Sequence, residues 1–358
     1  MSVTIRIILV LALLIALVIF RRGKRGPGGK GRFRLRTSIG PSNRSLEVEK
    51  VHDGPIVVGA AGASRAAGMP QPEMVVPGIE RKLIAVGDHD IWYLEGGART
   101  GDAVLLLHGF AGDKEQWLGL MSQLLGQGLR VVAPDLPGCG QNDKDPEASY
   151  DIMSQVKHIR AFAHRVGISS AHLVGASMGA VVAAAFAYGV RDVARSLVLI
   201  EPFCLRVPRR SELDELLEQG RNPLIIAAPA GYENLMSFLC ARPVSDRFKR
   251  QRAERLAADR RVNLKIWQDV CEGERAHLLD LLLPALTLRT LVIVGAKSRV
   301  VHAASAEVIR GMMPAVQAVV LEDCGHLPML ENLTETAKHV VRFVLSVGQD
   351  PAPVAADS

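Results

Sequence analysis

The run HLVGASMGAVVAAAFAY, residues 172 to 188, sets Ser177 between Gly175 and Gly179 in the pattern Gly-x-Ser-x-Gly. A serine hydroxyl attacks poorly until it is held at a strained corner beside a base, and flanking glycines let such a corner close without Cβ clashes. A buried strand leading in and a small-residue helix leading out are the setting in which this pattern makes a nucleophile elbow. Ser177 is therefore the candidate nucleophile.

Attack on an acyl carbonyl creates an oxyanion, which needs two preorganised N–H donors. The elbow offers the N–H of Met178, and the loop HGF at 108 to 110 offers that of Phe110. If the base comes late in the chain, DCGHLPMLE places His326 just after the last strand-like run. By contrast, His158, His164, His277 and His339 fall in helical patterns.

These groups need a scaffold that brings distant segments together. AVLLLHG (103 to 109), LRVVAPD (129 to 135), AHLVGAS (171 to 177), SLVLIEP (196 to 202), RTLVIVG (289 to 295) and AVVLEDCGH (318 to 326) are apolar at nearly every position. Such runs suit strands buried on both faces, and the helical stretches between them predict a mostly parallel central sheet with helices on both faces, an α/β fold. Ahead of them, residues 82–86 and 90–95 predict two short strands joined by a tight Gly-Asp turn. Residues 203–285 interrupt the alternation with amphipathic helical patterns, read either as a cap over the strand ends or as a packed structural subdomain. Within them, IIAAPA and LMSFL could line an acyl pocket or simply fill the core.

The first 20 residues contain IILVLALLIALVIF, Ile7 to Phe20. With Val3 to Arg6 the run gives roughly 27 Å of helix, enough for a single membrane anchor. Residues 21–36 carry eight Lys or Arg and no acid, which accounts for the net charge of +6 and leaves the rest of the chain close to neutral. A basic segment directly after an apolar one predicts that the domain following it is cytoplasmic and touches a membrane surface; nucleic acid is not an expected partner. Residues 21–78, rich in Gly and Pro, read as a tether, with a short strand near 56–58. The first part of the core is expected at 79–202, the second at 286–348, and a tail at 349–358. Five scattered cysteines suggest reduced thiols, and neither a metal nor an organic cofactor has a signature.

HGFAGDKEQW, APDLPGCG, HLVGASMG and EDCGHLPMLEN together resemble the α/β-hydrolase superfamily, and the match is closest to its monoacylglycerol lipase and bacterial lipase branch, some of whose members carry an N-terminal membrane anchor. The resemblance spans residues 80 to 348. It implies Ser177 as nucleophile, His326 as base, Phe110 and Met178 as oxyanion donors, and residues 203–285 as a cap. It also implies an aspartate a few residues beyond Gly295, yet LVIVGAKSRVV has Ser298 there. Three readings follow: Glu201, at the end of the strand expected beside the nucleophile strand, supplies the acid; Ser298 supports a dyad; or the acid is unrecognised or activity is lost. Asp323 lies near His326 in sequence but takes no role from the resemblance. The functional expectation is a membrane-tethered serine hydrolase of acyl-chain esters, a lipase or esterase. The alternatives are a weakened hydrolase fold kept for binding and an acyltransferase using the same serine.

Overall fold

The computed structural model describes residues 73–347, except 101, 246–248, 273–276 and 314. The expected anchor, most of the tether, the strand near 56–58 and the tail lie outside the described residues. Among the described residues no helix is long and apolar enough to cross a membrane.

Nine strands form one sheet: β1 (Glu73–Val76), β2 (Ile79–Val86), β3 (His89–Gly96), β4 (Ala103–Leu107), β5 (Arg130–Pro134), β6 (Ala171–Ala176), β7 (Ala194–Ile200), β8 (Thr290–Gly295) and β9 (Gln317–Leu321), in the order β1-β2-β3-β5-β4-β6-β7-β8-β9. The first three strands join antiparallel, and from β5 to β9 all neighbours run parallel. The expected pair 82–86 and 90–95 is the β2–β3 hairpin. One expectation is corrected: residues 73–76, assigned to the tether, form an edge strand. Its turn, Pro77-Gly78, places Gly78 at φ +81°, a conformation glycine adopts without strain.

The continuous apolar runs have a direct explanation in the packing. In β4, Leu105 and Leu107 enter one core while Val104 and Leu106 enter the other, and β6 and β7 divide their side chains the same way. Alternate residues point to opposite faces, so a strand covered on both sides must be apolar throughout. One face is covered by α2 (Ile152–Arg165) and α3 (Met178–Gly189), with Phe162, Val181 and Phe186 fully buried. The other is covered by α1 (Leu118–Leu125) and, at the C-terminus, residues 333–347, with Trp117, Met121 and Phe343 in the core. Truncating a residue such as Leu105 to Ala should cost about 2–5 kcal/mol, because such a close-packed site collapses only partly.

Between β7 and β8 the insertion holds α4 (Glu212–Glu218), α5 (Tyr232–Leu239), α6 (Lys249–Ala258), α7 (Arg260–Cys271) and α8 (Leu278–Leu282). It is helical, as its patterns predict. Beyond β8 come α9 (Ser305–Met312), α10 (Pro328–Glu331) and α11 (Leu333–Val347). The parallel strands all end on the same edge of the sheet. The loop after β4, the turn after β6, the ends of β7 and β8, and the segment after β9 therefore converge there, as ligand sites do in open α/β sheets.

Candidate active site

Ser177 sits at the junction of β6 and α3 with φ 52° and ψ −118°. A side chain rarely holds that conformation, and the surroundings impose it. A Cβ at Gly175 would collide with the backbone of Gly179, and a Cβ at Gly179 would collide with the backbone of Leu107 and His108. The turn thus closes only with glycine at both places. Met178 opens α3, so its N–H is among the first four of the helix and has no intrahelical acceptor.

The loop after β4 lies against this corner: a Cβ at Gly109 would sit 3.2 Å from Ser177 Cβ. His108 orients it. The Leu136 N–H donates to His108 Nε2 at 2.9 Å, so Nε2 carries no proton and Nδ1–H donates to the Gly109 carbonyl at 2.8 Å. That carbonyl also accepts from the Gly112 N–H at 3.1 Å. In a trans peptide the Phe110 N–H points opposite to the Gly109 carbonyl, so fixing one fixes the other. Burial pushes the His108 imidazole below its ordinary pKa, against the opposing pull of Asp135, and this keeps it neutral. Farther along the loop, Lys114 pairs with Asp135 at 2.7 Å, both fully buried, and its backbone N–H donates to the same carboxylate at 2.8 Å. Removing one partner of such a pair costs about 3–5 kcal/mol.

His326 is buried, and its Nδ1 lies 2.8 Å from Glu201 Oε2. Glu201 is itself fully buried at φ 51°, directly after β7. Its Oε1 accepts from the Gly295 N–H at 2.5 Å, and its Oε2 also accepts from Ser298 Oγ–H at 2.6 Å. The carboxylate that faces His326 Nδ1 is thus that of Glu201. Ser298 touches that carboxylate as a donor. Asp323 turns outward, 58 % exposed, and pairs with Lys297 at 2.7 Å and Arg242 at 3.2 Å.

One residue escaped the reading of EDCGHLPMLEN. Glu331 Oε2 accepts from the N–H groups of Gly325 at 3.0 Å and Ala241 at 2.6 Å, while Oε1 accepts from that of Leu327 at 3.1 Å. The His326 N–H donates to the Leu239 carbonyl at 2.7 Å. The segment carrying His326 is thereby tied to the insertion. The signal was an acid five residues after the histidine at the end of a short Pro-led turn, but only the contacts give it a meaning.

Ser177 and His326 line one cavity of about 100 Å³ together with Gly109 and Phe110. Leu235, Met236 and Leu239, all from LMSFL, line it too; IIAAPA does not, and its Ile226 packs beneath Tyr232 and Leu235. The insertion therefore forms part of the cavity wall. Phe110 meets Trp267 of α7 edge to face at 5.5 Å, bracing the loop after β4 against the insertion.

The cavity holds Ser177, His326 and Phe110, with Glu201 buried behind His326, on a sheet of this order. Residues 104–339 match the model of the alpha/beta hydrolase family. The chain belongs to that family. Among relatives, the hydrolase is 30 % identical to a monoacylglycerol lipase of Xenopus laevis, over 75 % of its own length and 83 % of the relative's. It is 29 % identical to a lipase of Psychrobacter immobilis, over 74 % and 83 %. A solved membrane phospholipase A, described as a bacterial virulence factor, superposes with TM-score 0.72 at 35 % identity, covering 76 % of the hydrolase and 88 % of that chain. The hydrolase is a serine ester hydrolase.

Its thiols are not candidates for the chemistry. No disulfide joins any of the five cysteines, and burial pushes the Cys139 and Cys324 thiols up to about 12. Among the described residues no cluster of His, Cys, Asp or Glu gathers to hold a metal ion.

Proposed function

We propose that the hydrolase cleaves carboxylic esters of acyl chains, as a lipase or esterase of the monoacylglycerol lipase type, through an acyl-enzyme on Ser177. The observation that carries this is the 2.8 Å contact between His326 Nδ1 and Glu201 Oε2. A carboxylate there holds Nδ1–H as the donor, leaving Nε2 free to take the Ser177 proton, and stabilises the imidazolium that forms. Ser177 Oγ attacks the ester carbonyl, and the Phe110 and Met178 N–H groups bind the oxyanion. His326 then protonates the leaving alcohol. A water deprotonated by His326 releases the acid and restores Ser177. The apolar wall from the insertion, acting as a cap, receives the acyl chain.

The apolar run at residues 7–20 and the basic segment at 21–36 support a further reading, an N-terminal single-pass anchor that holds the catalytic domain at the cytoplasmic face near its lipid substrate. Acyl transfer to an alcohol would use the same residues. Treatment of the folded, full-length chain with a fluorophosphonate, followed by peptide mass spectrometry, is expected to modify Ser177 and no other serine. Folded protein that stays unlabelled would leave only the binding-module alternative. Product analysis with glycerol present separates hydrolysis from transfer.

A further inference from the structure

Most of the cavity wall is apolar, but one group of side chains is not. Asp113, Gln116, Arg252 and Arg255 all line it. Arg252 of α6 grips Asp113 with two bonds, Nε to Oδ2 at 2.9 Å and Nη2 to Oδ1 at 2.6 Å. Arg255, one helical turn on, adds Nη2 to Oδ2 at 2.6 Å. Burial alone would raise the Asp113 carboxyl, yet the two guanidiniums hold it far below the usual carboxylate range, so it stays ionised. Nearby acids have their own cations: Asp135 pairs with Lys114, and Glu115 with Arg81.

Arg255 thus brings a full charge to a carboxylate already gripped bidentately. Among the described residues its guanidinium makes that one hydrogen bond, although its fork carries five N–H donors. Gln116 points the same way. It is more than nine-tenths buried, and its Nε2 has no hydrogen-bond partner. A buried donor without an acceptor is costly and uncommon, and the Gln116 amide lies in the wall of the cavity that also holds the candidate nucleophile, a wall that the partly exposed Arg255 also lines. Asp113 lies three residues after Phe110, so this group flanks the place where the ester carbonyl would sit.

We propose that Arg255, Arg252 and Gln116 form a subsite for an anionic headgroup rich in oxygen acceptors, a phosphate ester carried by the acylglycerol whose ester Ser177 attacks. Planar guanidiniums match phosphate oxygens in pairs, and an amide N–H completes the set. The favoured substrates are then acyl glycerophosphates. This rests on the esterase reading and narrows it.

The test uses the full-length chain in detergent and three esters of equal chain length: 1-lauroylglycerol, 1-lauroylglycerol 3-phosphate and 1-lauroyl-glycerophosphocholine. The wild type is expected to show a higher kcat/KM for the phosphate than for the neutral ester, a preference that weakens as salt rises. Arg255→Gln should lower the phosphate-to-neutral ratio at least tenfold, Arg255→Lys should fall between, and Gln116→Leu should lower it severalfold. Reading a ratio cancels any loss of folded protein, and Gln116→Leu stands in if the arginine variants do not fold. An unchanged ratio, with neutral ester still cleaved, overturns the subsite and leaves the esterase reading intact. If no ester is cleaved, the esterase reading fails; the subsite is then judged by calorimetry with octyl phosphate, 1-octylglycerol and inorganic phosphate. Tighter binding of octyl phosphate than of 1-octylglycerol, lost in Arg255→Gln, supports it; equal binding of the two refutes it. Inorganic phosphate binding as tightly as octyl phosphate would refute a lipid headgroup as the ligand.

Discussion

Replacing Glu201 with Gln tests the proposed chemistry most sharply, because the carboxylate accepts from three donors at once. Gly295 N–H binds Oε1, while Ser298 Oγ–H and His326 Nδ1 share Oε2. A glutamine has one acceptor oxygen and one NH2 group of nearly the same shape. With the oxygen in the Oε1 position, the NH2 faces His326, whose Nδ1 must become an acceptor. The proton then sits on Nε2, where it blocks transfer from Ser177. With the oxygen in the Oε2 position, the NH2 opposes the Gly295 N–H, a buried donor-to-donor contact worth about 1–3 kcal/mol. In both arrangements the imidazolium loses its counter-charge. The expected loss in kcat is 10² to 10⁴, about 3–5 kcal/mol of barrier. The assay is stopped-flow acylation with a p-nitrophenyl ester, normalised by active-site titration, with a melting curve to verify folding. A folded Glu201→Gln protein retaining kcat within fivefold of wild type would refute the reasoning.

Ser298→Ala should lower kcat only two- to tenfold, since it removes one donor and no charge from the Glu201–His326 pair; steady-state kinetics reads this, and a hundredfold loss would move the supporting role to Ser298. Glu331→Ala removes the acceptor for the N–H groups of residues on both sides of His326, so kcat should fall at least tenfold and stability by about 1–3 kcal/mol. Parallel kinetics and urea unfolding would show an error if neither changed. His172 is buried against Ser196, and burial lowers its pKa from 6.5 to about 4. Its folded-state value lies below the unfolded one, so its contribution is complete above pH 6.5 and is lost as the pH falls through about 4. Urea unfolding should therefore show a stability loss between those values that is smaller in His172→Gln, by on the order of 3 kcal/mol. Equal losses in both proteins would exclude that contribution.

How much could be read without the structure follows from how local each constraint is. The elbow at Ser177 depends on glycines two residues to either side and on an apolar strand and helix adjoining them, so a short window of sequence carries it. The parallel strands were legible because burial on both faces leaves no room for polar positions. The edge strand at 73–76 was missed because an edge strand demands little of its side chains, and its one signal, Pro77-Gly78, sits in a stretch of similar composition.

The carboxylate that faces His326 lies at the other extreme. Glu201 and His326 are separated by 125 positions. The sequence alone left open Glu201 as the acid, a dyad supported by Ser298, or an unrecognised acid or lost activity. Strand order decides where each side chain can reach: β7 lies beside the nucleophile strand and β8 one step farther, so Glu201 extends from the nearer strand to His326 while Ser298, on the loop after β8, meets the carboxylate from behind. Asp323 is held in solvent by two cations. The residue types and the elbow were properties of the chain alone. Which carboxylate faces the histidine belongs to the packing of strands and loops, because a hydrogen bond between side chains so far apart in sequence is set by where the sheet brings them and not by the residues between.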